Sequence, residues 1–437
     1  MKSVTIIGCG PAGYTTAIQL AKRGFGVNVI EKNDLGGVCL NYGCIPSKLY
    51  FEILDTFRRT NELLKEKILD NDDLYKLMKE KKNLEISSLR QAIENHMQSC
   101  NINIHRGNAK IKSKNLIAVD GKDIESDYII ISTGSVEKEI KGFEIDNKKI
   151  ITPKTLFMED CYPESMLIVG GGSVGTELAF IYSSLGKKVY LAESEINILN
   201  NMDIEISKYC AEKLSLLGVD IITGVRDFKP DGGEIIINSD TETRVQIEKI
   251  VICAGRKCNF PDSIIDIHTE RGFIKVDKNY QTNFDNIFCI GDANGISMTA
   301  SEAQRQAIQV TDFISNGLNV NRQTGVPACA FSFCPLSSVG MREQDIKNGE
   351  KITKLLYNFN TRAKISSSEG FVKFITKNDI LLGAHIAGKD AEYLIMLVSG
   401  FIGKNVRELI NFWFFHPSIS ELLLETALMC IENSEES

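Results

Sequence analysis

The spacing of apolar and polar positions changes several times along the chain, and each change marks an element. Val4 to Ile7 is a short unbroken apolar run, the pattern of a strand buried on both faces, and a glycine-rich turn follows at once. Ala12 to Arg23 then carries apolar residues at helical spacing, and Val27 to Ile30 is again an unbroken apolar run. Residues 51 to 100 read as two or more long helices, with Leu89, Ile93 and Met97 as an apolar stripe in the later one. The intervening RRTNELLKEKILDNDDLYKLMKEKKN interleaves both charge signs, which predicts a solvated helical surface rather than a binding patch. Short strand-like runs follow from Ile104 to Val119, and Asp127 to Ser132 predicts a further buried strand ending at Thr133-Gly134.

At Met166 the pattern starts again, with a strand, a glycine turn and a helix in LIVGGGSVGTELAF. The first turn holds Gly8, Gly10 and Gly13, and the second holds Gly170, Gly172 and Gly175. In each unit an acid closes the next strand 23 positions after the first glycine, Glu31 after Gly8 and Glu193 after Gly170. Such glycines permit a tight turn and let a pyrophosphate approach a helix N-terminus, while the acid suits a ribose hydroxyl pair. Two such units imply two nucleotide cofactors, or one used twice. Glu193 favours NAD, because a carboxylate there repels a 2'-phosphate, and Lys187, Ala192 and Ser194 supply no obvious phosphate clamp. The last stretch, from 323, shows strand-like LLYNFN, GFVKFIT and LLGAHIAG, then helices from Asp390 onwards.

The bulk numbers narrow the picture. At 437 residues the chain exceeds the size of a single core and predicts three or four domains or subdomains. A net charge of -7 offers no basic field for nucleic acid or an anionic membrane. MKSVTIIGCG enters a strand directly, without a signal arrangement, and no apolar run is long enough to span a bilayer, so a cytoplasmic location is expected.

Twelve cysteines are present, and most are scattered singly. Cys253 with Cys258, and Cys329 with Cys334, lack a glycine loop before them and a Pro-Ser-Lys helix start after them, so they read as buried apolar thiols. With only five histidines in the chain, no metal site is expected. Cys39 and Cys44 differ. They lie in GGVCLNYGCIPSK with four residues between them, on a glycine-rich loop running into a helix. A structural bridge over so short a loop removes little unfolded-state entropy, and a reducing compartment would break it, so a redox-active pair is the better reading. A helix start and Lys48 nearby favour a thiolate, the nucleophile of disulfide exchange.

This run resembles the active-site disulfide of the pyridine nucleotide-disulfide oxidoreductases, and within them the dihydrolipoamide dehydrogenases. Val38 and Tyr42 depart from it, standing where threonine and a smaller aliphatic are usual. The resemblance implies an α/β fold with two Rossmann-like dinucleotide-binding domains and a C-terminal α+β dimerisation domain. The expected divisions are 1-146 for FAD, 147-270 for NAD, 271-322 completing the FAD site and 323-437 forming the interface. It implies that Gly36, Gly37, Thr133, Gly134 and Asp292 join the first turn at the FAD, Asp292 accepting bonds from ribityl hydroxyls. Gly255 and Arg256 in VICAGRKCN resemble a turn that meets NAD. Two strings diverge: Met298 to Ala303 differs from the usual Leu-Ala-His-Lys-Ala, and Phe333 with Cys334 replaces a usual His-Pro.

Near the end, Phe415-His416-Pro417-Ser418-Ile419-Ser420-Glu421 resembles the family's terminal His-Pro-x-x-x-Glu motif, with Phe414 where another histidine is common. A lone histidine among aromatics would ordinarily be packed in a core. Pro417, however, is suited to the first position of the terminal helix, and Glu421 could bond one ring nitrogen and fix its tautomer. The resemblance implies that His416 and Glu421 act on the disulfide of the partner in a homodimer, that Cys39 is the outer sulfur and Cys44 the one beside the flavin, and that Lys48 and Glu177 pair there. The activity so implied is oxidation of dihydrolipoamide, borne by a lipoyl protein of a 2-oxoacid dehydrogenase complex or the glycine cleavage system, with FAD and NAD. A reductase of another disulfide with the same machinery, and a flavin-binding redox sensor without turnover, are the alternatives.

Overall fold

A computed structural model describes residues 1-158, 162-320 and 325-435, with the side chains of 434 and 435 left undescribed. The chain forms two compact units, each drawn from several stretches of sequence.

In the first unit the strands Ser3–Ile7, Gly26–Glu31, Asn103–Arg106, Tyr128–Ile131 and Ile287–Cys289 form one parallel sheet. Ser3–Ile7 lies at the centre, flanked by Gly26–Glu31 and Tyr128–Ile131. Its apolar run is buried on both faces, as parallel strands are when helices cover both sides. Strand order reverses beside Ser3–Ile7, and a nucleotide binds at the carboxyl ends of strands at such a point. The helix Pro11–Lys22 begins there, with proline at its first position. Leu20, Val27, Val29 and Ile130 share its core with Ala307 and Val310 of the helix Ala300–Asn316.

The long helices are Cys44–Leu64 and Asn71–Ser99. Leu74, Tyr75 and Met78 turn their apolar side chains inward, and the charged side chains of the segment are solvated with one exception: Lys82 is buried and donates to the Phe157 carbonyl oxygen. The opposite charges along the segment gave no sign of which lysine turns inward. The stripe on the second helix runs from the core outward, with Met97 buried and Leu89 40% exposed.

In the second unit Ser165–Val169 is central to a parallel sheet with Lys188–Ala192, Asp220–Ile222, Lys249–Ile252 and Ile150–Ile151. The helix Ser173–Ser184 follows its glycine turn. An antiparallel sheet of Ala328–Phe331, Pro335–Gly340, Ile380–Gly388, Gly370–Lys377 and Lys351–Leu356 belongs to the same unit. The helices Ala391–Ser399, Val406–Ile410 and Glu421–Glu435 share its apolar core.

Three details differ from the sequence expectation. The strand near LLYNFN is Lys351–Leu356, because alternate burial at Thr353 and Leu355 fixes the strand earlier and Tyr357 starts a 3-10 turn. Residues from Gly255 onward, expected in the NAD division up to 270, belong to the first unit. There Arg256–Cys258 pairs antiparallel with Ser135–Glu137, and Asp262–Ser263 pairs with Lys110 and Ile111. The terminal helix starts at Glu421, so Pro417 lies before it and not at its first position.

Candidate active site

In the first unit, Gly10 caps the helix Pro11–Lys22 without any side-chain hydrogen bond, leaving its first N–H groups open to an anion. Glu31, at the end of its strand, accepts the Cys9 N–H at 2.8 Å on one oxygen and the Asn33 N–H at 2.9 Å on the other. Each oxygen keeps a further lone pair. The carboxylate is therefore fixed beside the turn; burial, and after it this negative charge, pushes the Cys9 thiol up to about 12. Gly8 and Gly13 are packed against Ser132 and against each other, so neither position can carry a side chain.

The second unit repeats this geometry with other neighbours. Gly172 caps Ser173–Ser184 with no side-chain bond, and a Cβ there would meet nothing within 4 Å. Glu193 accepts the Gly171 N–H at 2.6 Å and the Glu195 N–H at 3.0 Å. Gly170 and Gly175 make the same tight turn and close approach as their counterparts.

Gly36 caps a short helix, Gly37–Tyr42, that carries Cys39; after Gly43 the next helix starts on Cys44 itself. A Cβ at Gly37 would lie 2.8 Å from the Gly10 Cα, so only glycine lets this loop touch the nucleotide turn. A Cβ at Gly43 would sit 2.9 Å from the Val38 carbonyl oxygen, so the bend between the cysteines also needs a bare backbone. Both cysteines are thiols, and their sulfurs hydrogen-bond each other. That shared proton, followed by burial, pushes the Cys39 thiol well above its ordinary value, against the pull of the Lys48 ammonium. Lys48 stands one turn into the cysteine helix, 3.4 Å from the Ser47 hydroxyl.

A cavity of about 480 Å³ opens beside Cys39. Its walls include Ile18, Leu40, Ile45, Leu89 and Ile93, with Tyr14, His96 and Gln304 as the polar members. Tyr14 and His96 were not singled out in the sequence. The stripe of Leu89 and Ile93 could have pointed to His96, which lies three residues beyond Ile93 on the same helical face.

Thr133 has its hydroxyl buried without a partner, and Gly134 follows with φ of 71°. Asp292, in the 3-10 turn Gly291–Asn294, accepts the Ser135 hydroxyl at 2.6 Å. The uncapped helix, the orphaned hydroxyl and this carboxylate fit a flavin dinucleotide in the first unit. Arg256, expected at NAD, turns three of its five guanidinium N–H groups to partners within the first unit, donating to Glu137 at 2.7 Å and to the Ser135 hydroxyl and carbonyl at 2.7 and 2.6 Å. Gly255 precedes it with φ of 90° and accepts the Lys138 N–H through its carbonyl.

The remaining residues belong to the second unit. Glu177 is buried and accepts the Phe331 N–H at 3.1 Å. His416 Nδ1 lies 2.9 Å from Glu421 Oε1, and Glu421 Oε2 accepts the Ser418 N–H at 2.8 Å. Burial would raise the Glu421 carboxyl, but the Ser418 N–H and the imidazole together hold it below the usual range. The imidazole itself is exposed, beside Trp413 at 92% and Phe415 at 89% exposure. Aromatic residues bared to that extent mark an association surface. Among the described residues no helix is long and apolar enough to cross a membrane.

Comparison with known proteins agrees with this geometry. The description "Pyridine nucleotide-disulphide oxidoreductase" matches residues 2-307, and its dimerisation domain matches 326-427. A dihydrolipoamide dehydrogenase of Chaetomium thermophilum is 31% identical over 98% of this chain and 90% of its own length. A dihydrolipoyl dehydrogenase of Bacillus subtilis is 30% identical over 97% of each. Among solved structures, the HOCl-induced flavoprotein disulfide reductase RclA from Escherichia coli superposes with a TM-score of 0.86 at 26% identity, over 98% of this chain and all of the other. The dimerisation domain supports a homodimer, and the family match implies FAD and a nicotinamide dinucleotide. From its two nucleotide turns to its terminal helix, the chain belongs to the class I pyridine nucleotide-disulfide oxidoreductase family.

Proposed function

We propose that this protein is a dihydrolipoyl dehydrogenase, which oxidises a protein-borne dihydrolipoamide and passes the electrons to NAD+. The observation that carries the reading is Cys39, hydrogen-bonded to Cys44, opening on an apolar cavity. Its walls contain no lysine or arginine among the described residues, so they suit a carbon-chain dithiol better than a charged peptide disulfide.

His416, supplied by the second copy of a homodimer and oriented by Glu421, takes a proton from the substrate dithiol. The resulting thiolate attacks Cys39 of the oxidised pair, and Cys44 leaves as a thiolate. The second substrate thiol then attacks the substrate sulfur of the mixed disulfide, which frees Cys39 and closes the product disulfide. Gly8, Gly10, Gly13, Glu31, Gly36, Gly37, Thr133, Gly134 and Asp292 would hold FAD, and Gly170, Gly172, Gly175 and Glu193 would hold NAD. Bound flavin supplies what no side chain can, acceptance of an electron pair from thiolate and its release as hydride. NAD is preferred over NADP because Glu193 already fills the ribose position with negative charge. A reducing cytoplasm fits thiols that must cycle.

The test is NADH-linked reduction of free lipoamide compared with NADPH and with oxidised glutathione. Turnover with glutathione but not lipoamide would reject the reading. A second reading, reduction of a different disulfide, is favoured by the likeness to RclA and by the divergence at Met298 to Ala303 and at Phe333-Cys334.

A further inference from the structure

The second unit contains a buried polar cluster that no step above uses. Lys373, in the strand Gly370–Lys377, is fully buried, an expensive place for an ammonium. It donates to Asp203 Oδ1 at 2.7 Å, contacts Glu343 closely and lies 3.4 Å from Glu205. The three carboxylates converge as if around a cation, and the lysine is that cation. Asp203 is equally buried, caps the helix Ile204–Leu216 through the Glu205 N–H, and accepts the Glu343 N–H at 2.8 Å.

The same stretch is gripped from outside the cluster. Arg342 donates to the Asn200 carbonyl at 3.1 Å, and Gln344 both donates to the Met202 carbonyl at 2.8 Å and accepts the Ile204 N–H at 3.0 Å. Residues 198-204 therefore form a strap tied to the C-terminal sheet. Its other end lies against the second nucleotide turn. The Leu199 N–H donates to the Gly171 carbonyl at 2.8 Å, and a Cβ on Gly171 would come within 2.8 Å of the Ile198 side chain. Ile198 and Leu199 are buried and form the back wall of the turn from which Gly172 and Glu193 face the ligand side.

We propose that Lys373 is a positioning residue for nicotinamide dinucleotide binding: by anchoring Asp203 it fixes the 198-204 strap, and the strap holds the Gly170–Gly172 turn in its binding shape. The inference rests on the second unit being the nicotinamide site. Lys373 touches no ligand and acts only through this chain of contacts.

The test measures NADH dissociation constants by equilibrium titration of the flavin-loaded full-length dimer. Lys373→Met should weaken binding roughly tenfold, since ångström-scale misplacement of a binding element costs one to two orders of magnitude. Lys373→Arg should recover part of it. Because Lys373→Met leaves buried carboxylates unpaired and can fail to fold, the paired surface variant Arg342→Ala with Gln344→Ala loosens the strap while Lys373, Asp203 and Glu343 keep their mutual contacts. It should weaken NADH binding about threefold or more at unchanged flavin content. Ile395→Ala, in the C-terminal core away from the strap, serves as a control of lowered melting temperature and should leave NADH affinity alone. Unchanged affinity in the Arg342/Gln344 variant, or an equal loss in the Ile395 control, overturns the proposal. Wild-type protein that bound neither NADH nor NADPH would instead overturn the nucleotide assignment of the second unit.

Discussion

The two nucleotide-binding units use one local design and differ in what the chain does after the acid. In both, a central parallel strand runs into a glycine turn, an uncapped helix follows, and the acid 23 positions on accepts the N–H of the residue after the first glycine. After Glu31 the backbone returns through Gly36 and Gly37, presses against Gly10, and delivers Cys39 and then Cys44 at a helix start. After Glu193 the equivalent stretch presents Ile198 and Leu199 to the turn and continues to Asp203, with no thiol. The turn binds; the return loop decides whether a redox group stands beside it.

The sharpest break of that symmetry removes the thiol. Cys44→Ser is expected to lower lipoamide turnover by roughly three orders of magnitude or more, as loss of a nucleophile does, while the flavin stays bound. Retained turnover measured with NADH and lipoamide would remove Cys44 from its role. His416→Gln should cost about a hundredfold or more in the same assay, the scale of general acid–base catalysis, and leave NADH oxidation by an outer-sphere acceptor near wild type. Equal loss in both assays would show that His416 acts on folding or dimer assembly.

Paired glycine substitutions test the loop itself. Gly37 has φ of 61°, so alanine there strains the backbone by about 1–2 kcal/mol before its Cβ meets Gly10 at 2.8 Å. Gly172 has φ of -74° and open space, so its alanine variant should shift urea stability by no more than about 0.5 kcal/mol. Gly37→Ala is expected to lower the urea midpoint and release flavin. Gly172→Ala should keep flavin and weaken only NADH, because its methyl enters the space a pyrophosphate approaches. Similar behaviour of the two variants would mean that the return loop adds nothing to the first turn.

What could be read from the sequence was what local backbone chemistry dictates. Gly13 closes on Gly8 and Gly175 on Gly170 within five residues, and Glu31 and Glu193 each reach back 22 residues to the same turn inside one strand–helix–strand unit, so their spacing carries that part of the geometry. The His416 and Glu421 contact is local in the same sense, five residues apart. Features set by distant neighbours were not legible. Lys82 is buried because the Phe157 carbonyl awaits it, and Arg256 turns to the first unit because its strand pairs with Ser135–Glu137. Tyr14 and His96 face Cys39 only once three helices have packed around one cavity. Asp203, Lys373, Glu343 and His385 are scattered over 183 positions of sequence and converge only in the folded second unit.

The smallest expected effect separates the units by pH. His385 is fully buried, with Nδ1 2.6 Å from the Ser338 hydroxyl and Nε2 2.8 Å from the Met341 carbonyl oxygen. Asp203 lies 3.5 Å away and favours its charged form, as does the Met341 carbonyl, while Lys373 and Arg342 oppose it. Burial outweighs the rest and holds the imidazole below its ordinary value of 6.5. A base with a depressed folded-state pKa stays neutral in the fold while the unfolded chain takes up a proton, so its stabilisation is complete above about pH 6.5 and declines as pH falls, by at most about 1.4 kcal/mol per unit. Burial would raise the Asp203 carboxyl, but His385, the Lys373 ammonium and the Glu343 N–H together hold it below its usual range, so it adds a separate loss only in stronger acid. The first unit's histidines, His96, His105 and His268, are all at least partly exposed. Between pH 7.5 and 5.5, amide protection factors, corrected for the intrinsic exchange rate at each pH, should therefore fall in the strands Gly370–Lys377 and Ile380–Gly388 before they fall in Ser3–Ile7 and Gly26–Glu31. His385→Gln, which can still donate to Met341, should flatten that difference. Simultaneous acid loosening of both sheets in the wild type would assign the sensitivity to groups common to the two units, and would leave the buried histidine without a measurable share in it.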